Sequence, residues 1–295
     1  MRRLRNCSIR NEGNPVIPGK ERFQKEPLDK GTLCRRRKEE KEMSVSIKTA
    51  EEIELMRYSC KLLAEMHDML GEMVKPGIST AELDEAAQKF ASDHGVKSNF
   101  YQYEGYPAYI CTSVNEVVVH GIPSKQRILQ EGDIVSIDAG LDYKGWQSDA
   151  ARTHEVGAVS AEVHLLNDVT RQCFFEGIKF AKAGNHLYDI SAAIQKYAES
   201  FGFGVVRELV GHGIGRDMHE DPQIPNFVVF GQGRGMKLKP GMTLAIEPMI
   251  TLGRYAVEFN EADGWTVSTR DGSYASHYEN TILITDGEPE ILTIR

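Results

Sequence analysis

The sequence predicts an α+β domain made of two pseudo-symmetric halves, and three observations predict it. First, Leu129-Gln-Glu-Gly132-Asp-Ile134-Val-Ser-Ile137-Asp138 matches Leu238-Lys-Pro-Gly241-Met-Thr243-Leu-Ala-Ile246-Glu247, with Leu, Gly, Ile and a final acid at the same offsets. Each reads as a turn at Gly feeding a short apolar strand. Second, Pro76-Gly77 to Gly95 aligns with Ala183-Gly184 to Gly202, with Gln88-Lys89-Phe90-Ala91 against Gln195-Lys196-Tyr197-Ala198. Third, His120-Gly-Ile122 precedes the first acidic strand and His212-Gly-Ile214 the second. A period of about 100 residues is too long for a solenoid and fits one domain of two halves.

The elements follow in order. Thr49-Ala-Glu-Glu52 is a capping box. Ile53, Met56, Cys60, Leu63 and Leu70 then repeat at helical spacing, so a helix runs to about Met73. Ser79-Thr-Ala-Glu82 caps a second helix ending near Gly95. Tyr101 to Pro107 reads as a loop, and residues 109–119 as a strand and turn. Ile134–Gly140 and Trp146–Val156 read as a hairpin with its tip near Tyr143-Lys144. Ala161–Ala183 and Leu187–Phe201 are expected to be helices, 205–210 a strand, and the Gly-rich stretch 231–235 a loop. Thr243–Ile250 and Ser276–Thr285 are the last main strands.

Composition narrows the class. An apolar share of 41% is ordinary for a globular chain. No apolar run approaches the ~18 residues that span a bilayer, so no membrane partner is expected. Cys7, Cys34, Cys60, Cys111 and Cys173 are scattered, with no Cys-x-x-Cys, which argues against a zinc finger or disulfide framework and for a reducing cytoplasm. Residues 1–43 carry 13 basic and 7 acidic residues against 22 and 36 in the remainder. The acidic body argues against a specific nucleic-acid ligand. Residues 1–43 lack apolar periodicity and are expected to be a disordered basic extension. They read as a transit peptide, as a basic arm touching a ribosome or other polyanion, or as an upstream translation with Met43 the true start. The ordered pattern beginning just after Met43 favours the last, and residues 44–295 are expected to form the catalytic domain.

The chemistry lies in acids that end apolar strands. Asp138 follows Ile134-Val-Ser-Ile137, where a buried charge must be paired or bind a cation. Asp149 lies eleven residues on, so a tip near Tyr143-Lys144 sets the two acids opposite each other. Asp149 alone could be a solvated edge carboxylate. Glu247 closes the second acidic strand, and Glu279 lies in the last one. His212 sits between glycines in Gly211-His-Gly-Ile-Gly215. His219-Glu220 is no HExxH motif, because position 223 is Gln and Pro222 would break the helix. Two Asp, two Glu and one His fit a pair of divalent cations better than a structural zinc, and favour Mn, Fe or Co as much as Zn.

With these residues in order, residues 43–295 resemble the type I methionine aminopeptidases. The Asn115-Glu-Val-Val-Val-His120-Gly-Ile-Pro123 segment adds to the likeness. The resemblance implies the pita-bread fold, a curved antiparallel sheet covered by helices, and an enzyme removing Met from nascent polypeptide N-termini when the second residue is small. It implies two divalent ions per chain (Co, Zn, Mn or Fe), one held by Asp149, His212, Glu247 and Glu279, the other by Asp138 with Asp149 and Glu279 bridging. Glu247 resembles the proton shuttle, His219 the histidine that stabilises the oxyanion, and His120 the one that orients the scissile amide. On its own, His120 would read as a core histidine. Tyr103, Tyr106, Cys111, Met218 and Trp265 match the methionine pocket. Phe100 stands where a bacterial relative has Cys and Met218 where it has Phe, and the loop between Glu247 and Trp265 is one residue longer. A monomer is expected.

Competing classes are weaker. A prolidase or proline aminopeptidase shares this metal set but carries a large N-terminal domain. A type II enzyme needs a helical insert, and only 34 residues separate His212 from Glu247. A catalytically dead binding module would have lost ligands, and all five are present. Deleting residues 1–42 should leave melting temperature and peptide turnover nearly unchanged. A truncated chain that fails to fold would show that the extension packs on the body.

Overall fold

The computed structural model describes residues 45–229 and 231–295. The extension expected over residues 1–43 lies outside the described residues. The first half runs α1 (Ala50–Met73), α2 (Thr80–His94), β1 (Lys97–Ser98), β2 (Ile110–Val114), β3 (Val117–Val119), β4 (Ile134–Tyr143) and β5 (Trp146–Glu155). The second runs α3 (Ala161–Ile178), α4 (Leu187–Ser200), β6 (Gly204–Val205), β7 (Gly211–Gly213), β8 (Glu220–Ile224), β9 (Thr243–Ile246), β10 (Met249–Thr251), β11 (Val257–Phe259), β12 (Val267–Thr269), β13 (Ala275–His277), β14 (Asn280–Leu283) and β15 (Glu290–Ile291). Every strand pair is antiparallel. Strands β1-β4-β2 form one sheet with β5 also on β4, and β15-β14-β9-β7-β8 form another. Two three-stranded sheets, β13-β10-β6 and β11-β12-β3, complete the set.

Local chemistry explains the helix ends. Thr49 and Ser79 each accept the N–H of the glutamate three residues on, and that glutamate accepts the cap's own N–H. Gly95 closes α2 at φ 65°, the left-handed conformation that a residue without Cβ adopts cheaply. The duplication recurs in the backbone. Gly77 N–H donates to Leu129 O at 2.8 Å, and Gly184 N–H to Leu238 O at 3.0 Å. The bridge Ser79↔Ile128 has its counterpart in His186↔Lys237.

Strand alternation separates core from site. Val135, Ile137, Ala139 and Leu141 of β4 pack with Leu63, Leu70 and Leu83 of α1 and α2. Leu244, Ile246 and Ile282 pack with Leu166, Ile190 and Ile194 of α3 and α4. Side chains alternate across a strand, so Asp138 on β4 emerges on the face away from its helices.

Five expectations need correction. Asp138 and Asp149 are not directly opposite. Asp138 pairs with Ala151 and Asp149 with Gly140, because the tip lies at Lys144-Gly145, one residue further on. The two acids are diagonal neighbours on one face. The helix expected over Ala161–Ala183 ends at Ile178, where Phe180 and Ala181 close tighter three-residue turns onto Gly177 and Ile178. The strand expected over 205–210 is only Gly204–Val205. Thr243–Ile250 and Ser276–Thr285 each break, at Glu247-Pro248 and at Tyr278-Glu279, and pass from one sheet to another. Pro248 has no N–H to continue a ladder. The two His-Gly-Ile segments keep their order but not their place. His212 pairs with Ala245 on β9, whereas Ser113 takes the matching place beside Ser136 on β4.

Two substitutions should separate capping from packing in α2. Ser79→Ala should cost about 1 kcal/mol in urea unfolding and Leu83→Ala about 2–5 kcal/mol. Equal losses would mean that Leu83, which is fully buried, contributes no packing.

Candidate active site

A cavity of about 250 Å³ gathers all twelve residues expected to act, with Phe100 and Glu104 added. Both halves build it. β4 and β5 supply Asp138 and Asp149, β7 supplies His212, and the two strand breaks supply Glu247 and Glu279. Each break frees a carboxylate from the alternation of a regular strand. The Glu279 N–H donates to Ala151 O of β5 at 3.0 Å. Thr281 then stitches β14 to β5, its hydroxyl donating to Asp149 O at 2.8 Å and accepting from Asp149 N at 3.1 Å. This seam brings Asp149 beside Glu279.

One oxygen each of Asp149 and Glu279 and one nitrogen of His212 lie within 4.8 Å of one another, enough to surround a metal ion. His212 Nε2 is 3.8 Å from Asp149 Oδ2 and 3.7 Å from Glu247 Oε1. Asp138 Oδ1, Asp149 Oδ1 and Glu279 Oε1 are buried with no hydrogen-bond partner. Buried carboxylate oxygens without donors fit a cation, because hydrogen bonding does not otherwise satisfy them. The chemistry agrees. Burial pushes Asp138 up to about 7. Asp149, Glu247 and Glu279 rise well above the carboxylate range, through burial first and neighbouring acids second. Arg152, half-buried behind the seam, donates to the carbonyls of Ala151 and Glu279 and holds that backbone.

His212 is pre-set as a ligand. Its Nδ1 donates to Gly213 O at 2.9 Å, which leaves the Nε2 lone pair for the acids. Burial pushes this imidazole down to about 3, so the ring is neutral. The flanking glycines are required by close approach, since a Cβ on Gly213 would stand 2.3 Å from Asp221 O and one on Gly211 2.5 Å from Ala245 O. His219 stands exposed at the cavity mouth, its ring 4.4 Å from that of His212. The next residue, Glu220, is tied to Lys48 at 2.6 Å. His120 is half-buried at φ 57°, a left-handed conformation uncommon for a residue with a side chain. Its ring lies edge-on to Trp265, 6.3 Å away.

Beside the acids lies a separate apolar cluster. Phe100, Tyr106, Cys111 and Met218 form it, with Tyr103 and Trp265 against it. Cys111 pairs with Asp138 across β2 and β4, so the apolar slot begins one residue from the carboxylates. Tyr106 hydroxyl donates to Ile110 O or Gly121 O, at 3.2 and 3.1 Å, which leaves its ring as the lining.

Sequence reasoning missed His277. It is buried, and its Nε2 lies 3.9 Å from Glu247 Oε2 and 4.0 Å from Glu279 Oε2. Neither ring nitrogen has a hydrogen-bond partner. Burial pushes it down to about 3. The available signal was its place two residues before Glu279, the spacing of one strand face. Glu104 was missed too, and nothing in its loop sequence marks it.

Comparison with known proteins agrees with this geometry. The model of metallopeptidase family M24 matches residues 54–286. A methionine aminopeptidase from Clostridium acetobutylicum is 52% identical over 251 residues, covering 85% of this chain and 99% of that one. Methionine aminopeptidase 1 of Bacillus subtilis is 46% identical, covering 83% and 98%. The crystal structure of methionine aminopeptidase from Thermotoga maritima superposes with a TM-score of 0.82 at 44% identity, covering 85% and 100%. An Xaa-Pro dipeptidase from Bacillus anthracis shares the fold at 22% identity and a TM-score of 0.66. The chain therefore has the pita-bread fold, and it belongs to metallopeptidase family M24, among the methionine aminopeptidases.

Proposed function

We propose that this chain removes the N-terminal methionine from nascent polypeptides whose second residue is small, using two divalent ions. One observation carries the proposal: a carboxylate and histidine cluster with orphaned oxygens shares one cavity with an apolar, sulfur- and aromatic-lined slot. Asp149, His212, Glu247 and Glu279 would hold one ion. Asp138, with Asp149 and Glu279 as bridges, would hold the other. When bound, such a pair lowers the pKa of a water and polarises a carbonyl. Mn, Fe, Co and Zn all suit this donor set.

The chain's own residues do the rest. Glu247 carries a proton from the attacking water to the departing amine. His219 donates a hydrogen bond to the oxyanion that develops on the scissile carbonyl. His120 contacts the scissile amide and sets its orientation. Cys111, Met218, Tyr103, Tyr106 and Trp265 enclose the first side chain, which a flexible thioether fills well. The second residue passes between His120 and the acids, where bulk clashes. No helix among the described residues is long and apolar enough to cross a membrane. Action in the cytoplasm as a monomer, at or near the ribosome, is part of this proposal.

The test is kcat/KM for Met-Ala-Ser, Met-Lys-Ser and Ala-Pro, with metals added one at a time. Met-Ala-Ser should lead, and norleucine should partly replace Met, because one methylene is worth only ~1–3 kcal/mol. If Ala-Pro leads, the chain is prolidase-like. Asp138→Asn and Glu279→Gln should each lower turnover by at least ~100-fold, as loss of a metal's charge stabilisation requires. Full turnover in either would remove that acid from the ligand set.

Melting the metal-free protein gives a second test. Asp138 titrates near 7 in the fold and near ~4 in the unfolded chain. Its protonated form is favoured by folding, so its contribution is complete below about pH 4 and is lost as pH rises through 7. The metal-free protein should therefore lose stability relative to Asp138→Asn across that window. Added divalent ion should raise Tm most at its upper end. A difference between the two that is flat with pH would contradict a buried, unpaired Asp138.

A further inference from the structure

The apolar slot contains one polar contact that lining alone does not explain. The Tyr103 hydroxyl lies 2.8 Å from Nδ1 of His219, 116 residues away in the other half. The two rings meet edge to face at 5.3 Å. The loop that delivers Tyr103 is held in costly conformations, with Gln102 at φ 66° and Glu104 at φ 47°, neither a glycine. Strain of this kind persists where the surroundings over-determine it, often at a functional site. Here the surroundings are backbone hydrogen bonds. Gln102 N–H donates to Tyr106 O at 2.8 Å, Tyr103 N–H to Phe100 O at 2.9 Å, and Tyr106 N–H to Tyr103 O at 2.8 Å. Phe100 N–H donates to Ser98 Oγ at 3.0 Å.

We propose that Tyr103 is a positioning residue, whose hydroxyl donates to Nδ1 of His219 and so keeps that ring's proton on Nε2. A neutral imidazole carries one N–H, and the partner of one nitrogen decides which. With Nδ1 taken by Tyr103, Nε2 is the ring nitrogen left for the cavity that His219 lines. Desolvation lowers the ring's pKa from the ordinary imidazole value, against a smaller raising by Glu104. A tautomer fixed in advance spares the enzyme a reorganisation when the oxyanion forms. The contact also joins one half to the other at the cavity lining. This inference rests on the oxyanion role assigned to His219 above.

The experiment is a double-mutant cycle on the metal-loaded enzyme with Met-Ala-Ser. Tyr103→Phe keeps the ring in the slot and removes only the hydroxyl. Its kcat should fall roughly tenfold, at the low end for loss of a partner that orients a histidine, while KM changes less than about twofold. His219→Ala should lose more, and the double variant should be no worse than His219→Ala. Long-range ¹H–¹⁵N spectra of histidine-labelled protein should show His219 as the Nε2–H tautomer in the parent and a mixture in Tyr103→Phe. Losses that multiply in the double variant, or an unchanged tautomer in Tyr103→Phe, would overturn the inference and leave the oxyanion role intact. Full turnover in His219→Ala would instead remove the oxyanion role on which it rests.

Discussion

Four carboxylates share one cavity, three of them buried, and this crowding governs the rest of the molecule. At the 4.8 Å limit that joins Asp149 to Glu279, two like charges repel by roughly 3 kcal/mol in an effective dielectric of ~20. Among the described residues no lysine or arginine pairs with these acids, and the imidazoles beside them are pushed down by burial. Ionised together, these acids would need a compensating charge, which a divalent cation supplies. The fold is arranged to hold this tension. Thr281 and Asp149 stitch the two halves at the point of greatest crowding, and Arg152 grips the backbone from behind. A buried ionic cluster of this kind is weak evidence for stability and good evidence for a bound cation.

Much of this was legible in the residues. The helices were readable because Thr49 and Ser79 carry complete capping boxes and the apolar spacing of α1 is regular. The duplication was readable because Gly132 and Gly241 take the same positive φ, 91° and 85°, so the same turn chemistry recurs. What failed shares one cause. The diagonal placement of Asp138 and Asp149 depended on one residue at a hairpin tip. The breaks at Glu247-Pro248 and Tyr278-Glu279 depended on which sheet each segment joins, and that is decided by partners far away in sequence. Pro248 marks one break, because it cannot continue a ladder, but nothing local says which sheet the chain joins next. The two His-Gly-Ile segments differ for the same reason, since one enters strand β7 and the other lies just past the end of β3.

The acids and pocket residues were reached by resemblance as well as by pattern, and the structure shows what each route could see. Acids ending apolar strands are conspicuous. Tyr103, Met218 and Trp265 lie on loops and strand ends with no local signature, and only the folded cavity unites them. The slot they line is a cluster of its own, separate from the two cores under the helices. Its residues therefore line the cavity without supporting the helices. Phe100 and Met218 both belong to this cluster and keep the slot apolar.

The seam between β5 and β14 also sets the order in which the molecule can assemble. Asp149 and Thr281 are separated by 132 positions in sequence, and closing so long a loop is paid for before its contacts repay it. Each helical layer can gather around its own strands first, from contacts that are close in sequence. On that order the seam would close late, when Glu279 arrives beside Asp149. An emerging chain has no working centre until nearly all of it is made. An ion held by Asp149 and Glu279 together would bind only the closed seam and would favour it by mass action, so metal supply would then bear on how much of the newly made protein becomes active.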